Sequence, residues 1–487
     1  MIESMDTSQP PEGISPEDWA KTPMSVQQFV YGLRLTVQSL EKRVADLEEK
    51  LGKNSSNSSK PPSSDPPGQT KPPRQPSGRK AGGQPGHVGQ SRKLKPPEEV
   101  TRFVDLRPSC CADCGALLLG ADASPARHQV TDIPRIEPEV VEYRCHTLHC
   151  LACGKANQAQ WPEDMPTGAF GPRLMATTGY LTGRMGMSQR DVEELNQALF
   201  HVDVSLGSVP ALTQRVSEAL VEPVTEVGQY VQQQPVVNVD ETSWRQKQAK
   251  GWLWLAATPL VTVFLLAATR SGQSAKTLLG EKYAGIVGSD RYSAYNWLEV
   301  LRRQLCWAHL KRDFQAFVER GGASATLGEA LMRQEKLLFD LWYRVRDGTL
   351  SRAELIEQTQ AIQKEVGCLL RQGAELDHPR TAGTCRDILK REAALWTFIN
   401  VPGVEPTNNA AERPLRRAVL WRRRSFGTQS DAGGRFVERI LTAVTTLRQQ
   451  DRDVLDYLTE ACAAAIRGGK APSLLPIGNS LAEPPFT

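Results

Sequence analysis

The chain has 487 residues, too many for one hydrophobic core, so two to four domains are expected, and its formal net charge of +4 is too small to identify a partner. The opening residues, MIESMDTSQPPEG, lack the apolar core of an export signal, and the longest apolar run, Leu260 to Ala268, falls far short of the ~18–20 residues a membrane span needs. A cytoplasmic protein with no membrane partner is expected, and ten cysteines in so long a chain point to metal rather than to a disulfide framework.

Residues 1–25 read as a disordered tail. Over 26–52, Leu33, Val37, Leu40, Val44, Leu47 and Leu51 alternate spacings of four and three, a heptad seam that predicts a short coiled coil and self-association. Residues 53–100 form a Pro/Gly/Ser-rich linker with nine lysines and arginines against one acid over 53–97. Such a segment cannot bury enough apolar surface to fold, but Arg79, Lys80 and their neighbours can neutralise phosphates. Residues 101–162 hold two copies of CxxCG, Cys111–Cys114 and Cys150–Cys153. Two thiolates on a tight turn bind one side of an ion, and two such turns close a tetrahedral structural Zn2+ site. HQVTDIP and VVEYRC are expected to fill the gap between them as a hairpin. Residues 163–230 carry helical periodicity. Ser188 with Asp191 can cap a helix running to Leu199, and Ser208 can start a second with Val209, Leu212, Val216 and Leu220 on one face. The pair resembles a helix-turn-helix, whose second helix would enter a major groove.

From Pro235 the period changes to two. PVVNVD, GWLWLAATP and LVTVFLLAAT read as consecutive strands, SAKTLLGEKY as a helix, GIVGSD as a fourth strand and RRQLCWAHL as a fifth. These make up the first part of an α/β core, 231–320. A helical insertion over 321–400 follows, then a second core part over 401–450 and a C-terminal helix and tail over 451–487. Asp240 and Asp290 end the first and fourth strands, which are neighbours in a ribonuclease H-like sheet. Glu412 lies in a helical stretch and would approach the same edge. Three such carboxylates can hold two Mg2+ or Mn2+ ions about 4 Å apart, which stabilise the attacking and leaving oxygens in phosphodiester chemistry. Strand alternation turns Glu241 to the other face. Cys306 and His309 are auxiliary candidates, as are Arg413 and Arg416, while Arg417, Arg422, Arg423 and Arg424 suit phosphate contacts.

Several phrases together resemble the insertion sequence 66 family of bacterial transposases: NSSNSSKPPSSD, GRKAGGQPGHVGQ, the paired CxxCG turns, VDETSW, SDRYSAY, CWAHLKRDF and TNNAAERPLRR. The resemblance implies a transposase using an Asp-Asp-Glu triad on a ribonuclease H-like core. It carries catalytic roles to Asp240, Asp290 and Glu412 and zinc binding to Cys111, Cys114, Cys150 and Cys153. The implied partners are terminal inverted repeats, target DNA, a second subunit and small accessory proteins of the same element. Two other functions fit parts of the pattern: a non-catalytic zinc-containing DNA-binding regulator, and a structure-selective nuclease on the same core.

Overall fold

The structure is a computed structural model that describes residues 10–11, 13–54, 56–58, 93–162, 165–166 and 168–476. Contacts divide the chain into two units, one comprising 1–67, 144–194 and 204–487 and the other 68–143 and 195–203. No helix among the described residues is long and apolar enough to cross a membrane.

The segment expected to be a disordered tail contains a short helix, α1 (Pro16–Lys21), capped where the Ser15 hydroxyl accepts the Asp18 amide at 3.1 Å, with Trp19 buried. Helix α2 (Met24–Gly52) follows, and its seam residues Leu33, Val37, Leu40, Val44, Leu47 and Leu51 are all exposed. Most of the basic linker, including Arg79 and Lys80, lies outside the described residues. The hairpin expected from HQVTDIP and VVEYRC does not form, and those residues carry no regular structure. Instead β1 (Thr147–His149) and β2 (Ala156–Gln158) pair antiparallel around the second CxxCG turn. The turn itself nucleates the ladder: its glycine takes φ +70°, and the Gly154 amide donates to the Cys150 carbonyl at 2.8 Å.

Helices α3 (Pro172–Gly183), α4 (Gln189–Phe200), α5 (Ser208–Ala219) and α6 (Val221–Gln232) come next. The Ser188–Asp191 box is reciprocal, each amide donating to the other's side chain at 3.1 and 3.2 Å. The expected face of α5 (Val209, Leu212, Val216) is buried, as is Leu220 just beyond the helix. α3 and α5 do not stand apart as a domain. They pack on α14 (Asp431–Gln449) and α15 (Val454–Ile466), so the C-terminal helices complete a bundle begun some 250 residues earlier in the chain. Gly179 and Gly183 permit the close approach, since a Cβ at 183 would meet Ile440 Cγ1 at 2.5 Å.

The core sheet contains β3 (Val236–Gln246), β4 (Ala249–Ala257), β5 (Thr262–Ala267), β6 (Ile286–Ser289) and β7 (Arg303–Leu305) in the order β5-β4-β3-β6-β7. β3–β4–β5 is antiparallel and β3–β6–β7 parallel, so the first and fourth strands are neighbours. β3 runs six residues past the expected end at Asp240, because DETSWRQ pairs in register with AKGWLWL. α7 (Gly272–Leu279) joins β5 to β6 and stops at Gly280, where φ is +88°. β7 is only three residues long, and the rest of the expected fifth strand is helix. From Trp307 the apolar period is that of α8 (Trp307–Glu319), which buries Trp307, Leu310, Phe314 and Phe317.

Edge strand β5 is covered by α14. The amides of Thr262, Phe264 and Leu266 donate to the side chains of Thr446, Thr442 and Glu438 at 3.1, 3.0 and 2.6 Å. Helix residues four apart thus match strand residues two apart, about 6 Å against about 6.8 Å, and side chains fill the place of a sixth strand.

The insertion comprises α9 (Gly322–Arg346), α10 (Arg352–Ala374), α11 (Pro379–Leu389) and α12 (Thr397–Asn400) around its own core, which includes Leu331, Leu338, Val366, Leu370 and Ile388. It returns to the sheet through Trp307, whose indole donates to Leu395 O at 2.9 Å, and through Gln304, whose side chain accepts the Phe398 amide at 2.8 Å. The chain is thereby delivered to α13 (Asn409–Ser425).

Candidate functional site

The parallel register sets Val236, Val237 and Asn238 of β3 opposite Ile286, Val287 and Gly288 of β6. Carried two residues further, it sets Asp240 opposite Asp290. Gly288 leaves the room, since a Cβ there would come within 2.5 Å of Asn238 Nδ2. Burial first, then the carboxylates of Glu241, Asp290 and Glu412, push the Asp240 carboxyl well above the ordinary range. The Glu241 amide, donating to Asp240 Oδ1 at 2.8 Å, opposes this only in part. Asp290 accepts the Tyr292 amide at 2.9 Å, and its backbone carbonyl accepts from Arg303 Nη2 at 3.2 Å. Glu241 is not among the convergent groups. Its buried carboxylate pairs with Arg270 Nη2 at 2.6 Å and accepts the Tyr295 hydroxyl.

On the Glu412 side, one donor atom each from Cys306, His309 and Glu412 lie within 4.8 Å of one another, a three-ligand group found among the described residues. His309 Nδ1 and Glu412 Oε1 are 3.9 Å apart, and both are buried without a hydrogen-bond partner. Burial and the nearby Arg312 hold the imidazole below its ordinary pKa, which favours the neutral form a metal takes. Burial pushes the Cys306 thiol up to about 11. Orphaned donor atoms beside a crowded carboxyl whose charged form is disfavoured fit a divalent cation. Asp240, Asp290 and Glu412 offer the oxygens that Mg2+ prefers, while the sulfur and nitrogen suit a softer ion.

Asn408 ties the two sides together. Its Nδ2 donates to Val239 O at 2.7 Å, its Oδ1 accepts from Asn238 at 3.0 Å, and its amide reaches Cys306 Sγ at 3.2 Å. Its carbonyl accepts the Glu412 amide at 3.1 Å. One fully buried side chain therefore sets β3, Cys306 and the start of α13 relative to one another. Sequence reasoning gave Asn408 no site role; the repeated Asn of TNNAAER was the available signal. Asp313 pairs at 2.6 Å with Arg291, the residue after Asp290. Arg291 also binds Asp387 of the insertion at 2.6 Å.

α13 begins at Asn409 and runs straight through Pro414, so Glu412 sits in its first turn. Arg413, Arg416, Arg417, Arg423 and Arg424 are exposed along it. Arg422, expected at phosphates, is turned into the sheet, where it donates to Thr242 Oγ1 and Ser243 Oγ at 2.9 and 2.6 Å. After the helix, Gly427 at φ +105° lets Thr428 donate to Arg245 O at 2.9 Å, clipping α13 to the far end of β3.

Each CxxCG turn is built alike. The Gly115 and Gly154 amides donate to the Cys111 and Cys150 carbonyls at 3.0 and 2.8 Å, with φ at +73° and +70°. Amides of Cys114 and Asp113, and in the second turn of Ala152 and Cys153, aim at sulfur and lower the first thiol of each pair.

Fold and site together define an α/β protein with buried carboxylates and a Cys306–His309–Glu412 group that could hold a metal ion beside an arginine-rich helix. A family model described as Transposase IS66 family matches residues 167–436, more than half of the chain, and the chain belongs to that family. Membership supports a transposase role. A second model, a family of unknown function (DUF6444), matches residues 8–93. Among curated proteins the chain is similar to two uncharacterized proteins of Sinorhizobium fredii. With y4qI it is 28% identical over 248 residues, 46% of each chain. With y4hP it is 23% identical over 407 residues, 75% of this chain and 72% of the relative. The alignment thus spans about half the length of the first and nearly three quarters of the second.

Proposed function

We propose that the protein is a DNA transposase of an insertion sequence that cuts and joins DNA through an Asp240–Asp290–Glu412 triad. The observation that carries this reading is the approach of Asp240, Asp290 and Glu412 from three separate elements, where burial first, then Glu241, Asp290 and Glu412 together, raise the Asp240 carboxyl. The sheet order supports a ribonuclease H-like core. Bound Mg2+ or Mn2+ would stabilise the attacking and leaving oxygens of a phosphodiester. Asp240 and Asp290 offer carboxylates from adjacent strands. Glu412 and His309 offer donors from α13 and α8, with Cys306 at the base of α8. Asn408 fixes the spacing between the two sides. Arg413, Arg416, Arg417, Arg423 and Arg424 hold the phosphate backbone so that an in-line attack needs little reorganisation. Water attack at the element's end frees a 3′-hydroxyl and leaves a 5′-phosphate on the flank; that hydroxyl then attacks target DNA.

Around this core, Cys111, Cys114, Cys150 and Cys153 bind structural Zn2+, and α4 and α5 act as a helix-turn-helix on the terminal inverted repeats. The seam of α2 pairs two subunits, and accessory proteins of the same element assist. The test is strand transfer with labelled element ends and Mg2+. Wild type should join ends to target DNA, while Asp240→Ala should bind the ends and transfer nothing. Binding without cleavage by wild type, whatever the metal or companion protein, would leave the regulator reading. Junction cutting without joining would leave the nuclease.

A further inference from the structure

α13 presents a second face, away from Glu412, to a cavity of about 750 Å³. Six arginines line it: Arg184 at the end of α3, Arg413, Arg417, Arg423 and Arg424 on α13, and Arg448 on α14. No aspartate or glutamate lines it among the described residues. Asp191 stands at its rim, 3.9 Å from Arg424. Arg184 Nη1 is buried without a hydrogen-bond partner, and burial first, then the like charges of Arg417 and Arg448, lower its pKa.

The arrangement is held by rigid parts. Gly183 presses α3 onto Ile440 of α14, and Gly186, at φ +65°, brings the following turn against Trp421. Trp421 and Leu441 give the cavity an apolar wall on one side. Like charges fixed around an unpaired guanidinium are relieved by an anion. The volume falls in the range of ordinary small-ligand pockets, about 300–1,000 Å³, and is too small to admit a duplex. Along a helix rising 1.5 Å per residue, Arg417 and Arg424 stand about 7 and 18 Å from Glu412. At about 3.4 Å per nucleotide of one strand, that stride covers roughly two to five phosphates.

We propose that this cavity binds consecutive phosphates of one unpaired DNA strand adjoining the reacting position. The inference rests on the transposase reading and adds Arg184 and Arg448 as strand-positioning residues. Because Trp421 is almost wholly buried, recognition is by backbone charge and is indifferent to base.

The test uses the full chain and fluorescence anisotropy. Probes are a duplex with a single-stranded overhang and the same duplex blunt, each over a range of salt. Wild type should prefer the overhang. The pair Arg184→Gln with Arg448→Glu should lose about tenfold or more on the overhang and nothing on the blunt duplex, with the salt slope reduced by roughly 1.4 for two lost contacts. Arg417→Gln, which keeps the packing, should lose part of the preference even if the double variant fails to fold. Equal binding of both probes by wild type, or unchanged overhang binding in Arg417→Gln, overturns the proposal. Inorganic phosphate and dAMP serve as competitors. Displacement of the overhang by either at micromolar concentration would assign the cavity to a free anion and also overturn it. Asp240→Ala should keep the overhang preference, so a failure of strand transfer and a failure of this site read out separately.

Discussion

The sheet with its carboxylates and the segment bearing the cysteine turns are built in opposite ways. Around Asp240 nearly every neighbour is fixed by a side chain: Asn408 on Val239 and Asn238, Arg270 on Glu241, Arg303 on the Asp290 carbonyl. The acidic cluster is held by the fold before any cation arrives. Around Cys150, order comes from two three-residue strands, all exposed, and a handful of turn amides. There the fold supplies turn amides aimed at the Cys150 sulfur and little else. Under the proposed function, the first design would make metal a reagent and the second would make it part of the structure.

The largest break in that contrast should come from removing zinc. A chelator, or Cys150→Ser, is expected to abolish amide exchange protection around β1 and β2 while the β3–β4–β5 amides keep theirs, because structural zinc supplies folding energy on the order of 10 kcal/mol. Equal protection with and without zinc would make the two regions alike. Next in size is Gly427→Ala. At φ +105° an added methyl overlaps the Arg245 carbonyl, so urea unfolding should show a loss of about 3 kcal/mol or more. Asn408→Ala should cost about 2–3 kcal/mol in the same measurement, since it leaves the buried Val239 carbonyl and Asn238 amide unsatisfied. An unchanged unfolding midpoint would remove Asn408 from its linking role. The smallest effect has the opposite sign. Asp240→Asn, without divalent cation, should raise Tm by a few degrees (~2–5 °C) at neutral pH. The ionised carboxylate is disfavoured in the fold, so its cost is present at high pH and fades as pH falls toward the unfolded value near 3.8. A lower Tm for this variant would mean that the carboxylate stabilises the metal-free fold.

Much of the core was legible because β-branched runs and their order carry it: VVNVD, GIVGSD and the first–fourth adjacency follow from period and topology alone. The extension of β3 through DETSWRQ was hidden, since its polar residues look like a turn until their partner strand is known. The helix through Pro414 was hidden for a different reason. Proline in a helix interior lacks the amide the ladder needs, so the local sequence argues against a helix that continues past it. RRQLCWAHL mixes a buried edge strand with a helix start, and no local signal places the switch at Cys306. The triad residues could be read one by one, but Asn408, which relates them, shows its role only when segments 170 residues apart meet.

The side-chain cover over β5 has a consequence for synthesis. The residues that complete its hydrogen bonds, Glu438, Thr442 and Thr446, follow the strand by 172 to 184 positions. At about 5–20 residues per second, those amides wait on the order of ten to thirty seconds on the ribosome before their partners are made. During that interval the strand is an open template. A nascent chain of this protein is therefore most in need of a chaperone between completion of β5 and emergence of α14, and a message truncated before Glu438 would release a product with that edge permanently bare.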